Sequence, residues 1–145
     1  MSAKIIDGKA VSAEVKAAVA AETAQLKEKG IVPGLAVIIV GDDPASRVYV
    51  NNKKKACAAV GFRSEEYALP AQTTENELLH LVRELNENPH INGILVQLPL
   101  PAQIDEHKVI AAIAPEKDVD AFHAVNVGKI MIGDYDFLPC TPSGC

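Results

Sequence analysis

The chain has no tryptophan and only three tyrosines and three phenylalanines among its 145 residues. Its core must therefore come from Val, Ile, Leu and Ala, and an apolar content of 48% is enough to fold one domain around such a core. Basic charge is also scarce. The net charge is −5, and no basic run exceeds Lys53-Lys54-Lys55. Nucleic acid is not an expected partner, because binding it needs a basic surface that neutralises phosphates. No apolar run approaches the roughly 18 residues of a membrane span, so no membrane partner is expected either. Met1 to Gly8 lack the apolar stretch of a signal peptide. The three cysteines, Cys57, Cys140 and Cys145, are odd in number and show no CxxC spacing. They read as reduced thiols of an intracellular, cytoplasmic protein.

Helical and extended patterns alternate along the chain. Val11, Val15, Ala18, Val19, Glu22 and Leu26 map a mostly apolar helix face that should end near Lys27 to Gly30. Leu35 to Val40 is a short continuous apolar run, as in a strand covered on both faces. Asp43 and Pro44 fit the N-cap and first position of a second helix, which Gly61 ends. Phe62 to Leu69 is a more polar strand, suited to a sheet edge. Thr74-Glu75-Asn76-Glu77 is a capping box, followed by Leu78, Leu81, Val82 and Leu85 at helical spacing and a stop at Asn88-Pro89. Ile94 to Leu98 is the second strong strand, and Ile104 to Ile113 a further helix. Beyond Pro115 the pattern loosens into loops. Strands separated by helices imply parallel pairing with right-handed crossovers. The expected fold is one three-layer α/β/α domain, residues 1–145, with a mostly parallel sheet.

Within the second helix, residues three and four apart share a face. Ser46, Tyr49 and Lys53 therefore form a stripe carrying a hydroxyl, a phenol ring and an amine, while Lys54 and Lys55 turn away from it. A helix that follows a strand offers its first turns to the carboxyl edge of the sheet, where ligands of open α/β folds bind. Tyr49 and Lys53 also match the Tyr-x-x-x-Lys dyad of short-chain dehydrogenases. That family needs a glycine-rich phosphate turn well upstream, and no GxxxGxG precedes Tyr49.

Gln97 sits among apolar neighbours at the end of a strand. A buried amide there either satisfies itself in the core or holds another polar group such as Lys53. Asp118-Val119-Asp120, followed by His123, could ligate a metal, cap turns, or receive a ring edge bearing adjacent N–H and NH2 groups as a carboxylate receives Arg. Of these, a metal site is not expected. Cys140, between Pro139 and Thr141-Pro142, reads as a structural thiol in a rigid turn rather than a nucleophile.

Taken together, Asp7-Gly8-Lys9, Val40 to Ser46, Tyr49-Val50-x-x-Lys53-x-Lys55-Ala56, Gly93 to Pro101, Lys117-Asp118-Val119-Asp120 and Pro139-Cys140-Thr141-Pro142 resemble the bifunctional methylenetetrahydrofolate dehydrogenase/methenyltetrahydrofolate cyclohydrolase family. The matches run in family order along the whole chain. The resemblance implies oxidation of 5,10-methylenetetrahydrofolate with NADP, then hydrolysis of the methenyl product to 10-formyltetrahydrofolate. It implies Lys53, Gln97 and Tyr49 as catalytic residues, with Lys53 acting as a base on water if its amine is desolvated. It further implies folate contacts from Ser46, Tyr49, Val50, Lys53, Val96, Gln97, Leu98 and Asp120. Tyr49 would stack on the aminobenzoyl ring, and Asp120 would hold the N–H edge of the pterin. The family often has Gly and Pro where this chain has Ala121 and Ala124. Ala121 is tolerable unless its position needs φ above zero.

Members of the family continue past Pro-Cys-Thr-Pro into a Rossmann-type domain that holds NADP. This chain is expected to carry the N-terminal folate-binding domain and no cofactor-binding residues, within a parent that forms a homodimer. Two other classes remain open at the level of sequence: a non-catalytic folate-binding module, and a generic α/β interaction domain whose Ser46–Tyr49–Lys53 stripe is a solvated helix face.

Overall fold

The computed structural model describes residues 7–144. Met1 to Ile6 and Cys145, on which the signal-peptide reading and one thiol fall, lie outside the described residues. Three parallel strands form the sheet: β1 (Gly34–Val40), β2 (Arg63–Leu69) and β3 (Gly93–Val96), in spatial order β2-β1-β3. β1 is central because it is apolar throughout and can be covered on both faces. β2, with its Glu65-Glu66 pair and partly exposed residues, takes the edge.

The helices complete three layers, as expected. On one face α3 (Glu75–Glu87) and α4 (Glu106–Ala112) bring Leu78, Val82, Leu85 and Val109 against Ala36, Ile38, Val40, Ile94 and Val96. On the other, α2 (Pro44–Val60) packs Val50 against Val37, Ile39 and Leu95. The alternation of β1 side chains between these two clusters follows from the strand's period of two. The predicted caps are present. Asp43 accepts from Ser46 N–H at 2.7 Å, Gly61 closes α2 at φ +83°, and Thr74 and Glu77 form the reciprocal capping box.

Three expectations change. α1 (Gly8–Glu28) forms, capped by Asp7, but the apolar face that should have been covered is open: Val11 is 51% and Val15 57% exposed. Only the carboxyl-terminal part of α1 meets α2, where Thr23 is buried and Lys27 reaches Gly61. The helix read from Ile104 starts at Glu106, because Asp105 caps it by accepting from His107 and Lys108 N–H groups. The segment after Pro115 is not loop throughout. It holds a 3-10 turn (Pro115–Lys117), α5 (Ala124–Ile132) and α6 (Cys140–Gly144). Gly128 and the β-branched residues of α5 hide its periodicity, and His123 supplies the cap by accepting from Val125 N–H through Nδ1.

Candidate active-site cleft

α2 carries the stripe, and its register divides the three residues. Ser46 is buried in the first turn beside its cap, Asp43. Tyr49 stands 61% exposed. Lys53, in the third turn, is half-buried and directs its amine over the sheet. There Lys53 Nζ donates to Gln97 Oε1 at 3.2 Å. The Gln97 amide is oriented by its own donor, because Nε2 donates to Leu98 O at 2.8 Å. Its backbone N–H continues the ladder to Ile38 O, although β3 itself ends one residue earlier, at Val96. Gln97 is thus a half-buried amide at a strand's carboxyl end, with its oxygen on Lys53 and its nitrogen on the Leu98 carbonyl. Lys54 and Lys55 turn away as expected, and Lys54 pairs with Glu66 at 3.2 Å.

Tyr49, Lys53 and Asp120 line one cleft of about 650 Å³. Its floor is Gly34, Leu35, Gly93 and Leu95, which belong to the starts and middles of β1 and β3. The cleft therefore lies along the sheet face under α2, and only Gln97 marks the carboxyl edge where the whole site was expected. The displacement follows from Lys53's place in the third turn, since α2 runs back across the sheet rather than ending at its rim.

Asp120 enters from the loop after the 3-10 turn. Its carboxyl is held above the ordinary aspartate range, chiefly by burial. The Lys53 ammonium opposes that shift and the neighbouring Asp118 carboxylate adds to it. Asp118 itself is a turn maker. It is buried and accepts from His123 N–H at 2.8 Å and Asn126 Nδ2 at 3.0 Å. No grouping of three metal-ligating side chains occurs among the described residues.

Other expected contacts fall elsewhere. Val50 belongs to the core under α2, and Val96 points into the core on the opposite face of the sheet. Neither they nor Ser46, Gln97 and Leu98 line the cleft, and Gln97 touches it only through Lys53. Leu98 is half-buried. Conversely, Cys140 and Thr141 do line it, along with Phe137. Cys140 was read as a thiol in a rigid turn, yet it is exposed and opens α6. Phe137 was missed because nothing in a loose, polar tail marks which aromatic folds back.

The tetrahydrofolate dehydrogenase/cyclohydrolase catalytic domain matches residues 6–120 of this sequence. The chain belongs to that family. A bifunctional protein FolD from Ruminiclostridium cellulolyticum is 62% identical over 144 residues, covering 99% of this chain and 51% of the relative. One from Moorella thermoacetica is 60% identical over 145 residues, 100% of this chain and 52% of the relative. Among solved structures, a FolD methylenetetrahydrofolate dehydrogenase/cyclohydrolase from Campylobacter jejuni superposes with a TM-score of 0.92 at 48% identity, covering 95% of this chain and 49% of that one. The Trypanosoma brucei dehydrogenase-cyclohydrolase, solved with NADP cofactor and an inhibitor, matches with a TM-score of 0.92 at 42% identity, covering 97% of this chain and 49% of that one. The chain spans about half the length of the curated relatives it matches.

Against the family pattern, Ala124 takes the first position of α5. Proline suits that place because its missing N–H has no helical partner there, and alanine is equally compatible with a helix. Ala121 is a different case. Its φ is +56° and it is fully buried, so the condition under which alanine would be strained is met. A dinucleotide phosphate does not fit the start of α2. The turn after β1 that opens α2 bears Asp42 and Asp43, and the Asp43 carboxylate occupies the Ser46 N–H that would face a phosphate.

Proposed function

We propose that this domain provides the folate site and the catalytic lysine of a bifunctional enzyme of one-carbon metabolism. That enzyme oxidises 5,10-methylenetetrahydrofolate to the methenyl form with NADP and hydrolyses that cation to 10-formyltetrahydrofolate. The observation that carries the reading is the Lys53–Gln97 hydrogen bond beside a cleft shared with Tyr49 and Asp120. Gln97 aims the amine, and a neutral amine can take a proton from water as it adds to the methenyl carbon. Collapse of the adduct forms the formyl C=O and breaks the carbon's bond to one ring nitrogen, which takes up the proton from Lys53. The hydroxyl proton passes to solvent, and the formyl group stays on the other nitrogen. Tyr49 offers a ring face for the aminobenzoyl group, and Asp120 a carboxylate for the N–H edge of the pterin. Hydride transfer needs NADP, which the family resemblance assigns to a Rossmann-type domain, so we assign that step to a part of the enzyme outside this domain.

The exposure of Tyr49 favours a second reading, a folate-binding module without turnover, since an open cleft leaves Lys53 in contact with water. Titration with folic acid, followed by an assay of methenyltetrahydrofolate hydrolysis, separates the two. Binding with hydrolysis supports the enzyme, and binding alone the module. No binding leaves only an α/β interaction domain. We also propose a cytoplasmic location, supported by the free thiols of Cys57 and Cys140, and a homodimeric parent, supported by the family resemblance alone.

A further inference from the structure

Asp120 is the one carboxylate among the residues that line the cleft, and its side chain has no hydrogen-bonding partner among the described residues. A carboxylate of that kind is aimed by its backbone alone, and the backbone around it is clamped from behind. Asn126, buried on α5 and absent from the cleft wall, uses both amide hydrogens. One goes to Pro115 O at 2.8 Å and the other to Asp118 Oδ2 at 3.0 Å, which staples the two ends of the 3-10 turn together. The same Asp118 oxygen accepts from His123 N–H on the far side of Asp120.

Lys117 fastens this unit to the carboxyl end of α3. Its Nζ donates to Leu85 O, Asn86 O and Asn88 O at 3.1, 2.6 and 3.0 Å, carbonyls at the carboxyl end of α3. Asp118 pairs in parallel with Ile94, and the missing side chain of Gly93 makes room for Val119. A Cβ at Gly93 would lie 2.5 Å from Val119 Cγ1.

We propose that Asn126 is a positioning residue for ligand recognition, acting through Asp118 to aim Asp120 at the N–H edge of a pterin. The proposal rests on the folate reading of the cleft. It assigns Asn126 no contact with ligand. Its removal frees Asp118 to rotate, and the Asp120 carboxylate then loses its alignment with a ligand that needs two parallel hydrogen bonds.

The test is a double-mutant cycle on this chain, reading the dissociation constant of folic acid by calorimetry. Asp120→Asn is expected to weaken folic acid by about tenfold or more, as for misaligned hydrogen bonds to a charged group. Asn126→Ala is expected to weaken it by a similar factor in the wild-type background and by less than about twofold in the Asp120→Asn background. A purely structural residue would weaken binding equally in both backgrounds, and that result overturns the proposal. So does an unchanged affinity in Asn126→Ala when Asp120→Asn binds poorly. If Asp120→Asn leaves folic acid binding intact, the folate reading of the cleft fails first and the proposal falls with it. Should Asn126→Ala not fold, Lys117→Met removes the other clamp, and the same coupling to Asp120 is expected.

Discussion

Lys53 and Gln97 are 44 residues apart in sequence, and the amine of one lies 3.2 Å from the amide oxygen of the other. The pairing has a built-in sense, because Gln97 Nε2 is engaged with Leu98 O and only the oxygen is left to face the amine. A neutral acceptor holds a lysine without favouring its charged form as strongly as a carboxylate would. Gln97→Glu should therefore keep the geometry and impair the base. In a full-length protein carrying this domain, the acidic limb of the hydrolysis pH–rate profile should move up by about one unit or more. A pH–rate profile unchanged in Gln97→Glu would argue against Lys53 as the base.

Lys53→Met retains the stem that packs over the sheet and removes the amine. Cyclohydrolase activity in a full-length protein should fall by about two orders of magnitude or more, the usual worth of a general base. Folic acid affinity should stay within a few-fold, because Tyr49 and Asp120 remain on the cleft wall. Lys54→Met is the control. It breaks only an exposed pair with Glu66 and should leave turnover nearly unchanged. Stopped-flow hydrolysis of methenyltetrahydrofolate distinguishes the two variants directly.

Burial holds the Asp120 carboxyl above its unfolded value, against the pull of Lys53. For an acid with a raised pKa, the folded state binds the proton more tightly than the unfolded one. Stability therefore declines as pH rises through the window from the unfolded to the folded pKa, and ionised Asp120 is a cost to the fold above it. Two results are expected. Asp120→Asn should raise the urea midpoint at pH 7, and folic acid affinity of the unmodified chain should weaken on acidification at a higher pH than an ordinary aspartate would dictate. Urea titrations at pH 4 and pH 7 check the first. A midpoint lowered by the substitution at pH 7 would contradict it.

Ala121 combines φ +56° with complete burial. Replacement by glycine relieves about 1–2 kcal/mol of left-handed strain. It also loses about 0.8 kcal/mol of methyl burial and 0.5–1 kcal/mol to unfolded-chain entropy. Ala121→Gly should accordingly lie within about 1 kcal/mol of the parent. Ala121→Val places a β-branched side chain in the same conformation, where it is a steric outlier. It should destabilise by about 2 kcal/mol or more by urea denaturation. Equal stability of the valine variant would show that the turn does not require a positive φ.

Local chemistry was the legible part of this chain. The Asp43-Pro44 start, the Gly61 stop and the Thr74–Glu77 box each involve residues within a few positions of one another, and all three appear as read. So does the layering, since β1 is apolar at every position and β2 is not. The Lys53–Gln97 pair was accessible because helical phase and an out-of-place amide pointed to each other. What could not be read were contacts that depend on tertiary placement. Val50 and Val96 share motifs with site residues, but a side chain's face is decided by helix phase and strand alternation. Both put these valines in the core. Phe137 and Cys140 reach the cleft from the segment beyond α5, and α5 was hidden by Gly128 and its β-branched residues.

The last prediction concerns the cofactor. A pyrophosphate is held by backbone N–H groups at a helix start, approached closely through glycines, with no competing anion. The start of α2 reverses each requirement. Gly41 is followed by Asp42 and Asp43, the Asp43 carboxylate already accepts from Ser46 N–H, and that carboxyl is held below its usual range by the same hydrogen bond. Asp43 is thus ionised at neutral pH and repels phosphate where a dinucleotide would have to dock. Residues 1–145 alone should form no measurable NADPH from methylenetetrahydrofolate and NADP in a spectrophotometric assay at 340 nm. Folic acid binding should persist, since Tyr49, Lys53 and Asp120 all line the cleft within this chain. Adding a separately produced dinucleotide-binding half of a relative should restore NADP reduction, and only when the Asp120 that holds the folate is intact. Robust NADPH formation by this chain alone would place the cofactor site within these residues and overturn the assignment of hydride transfer to another part of the enzyme.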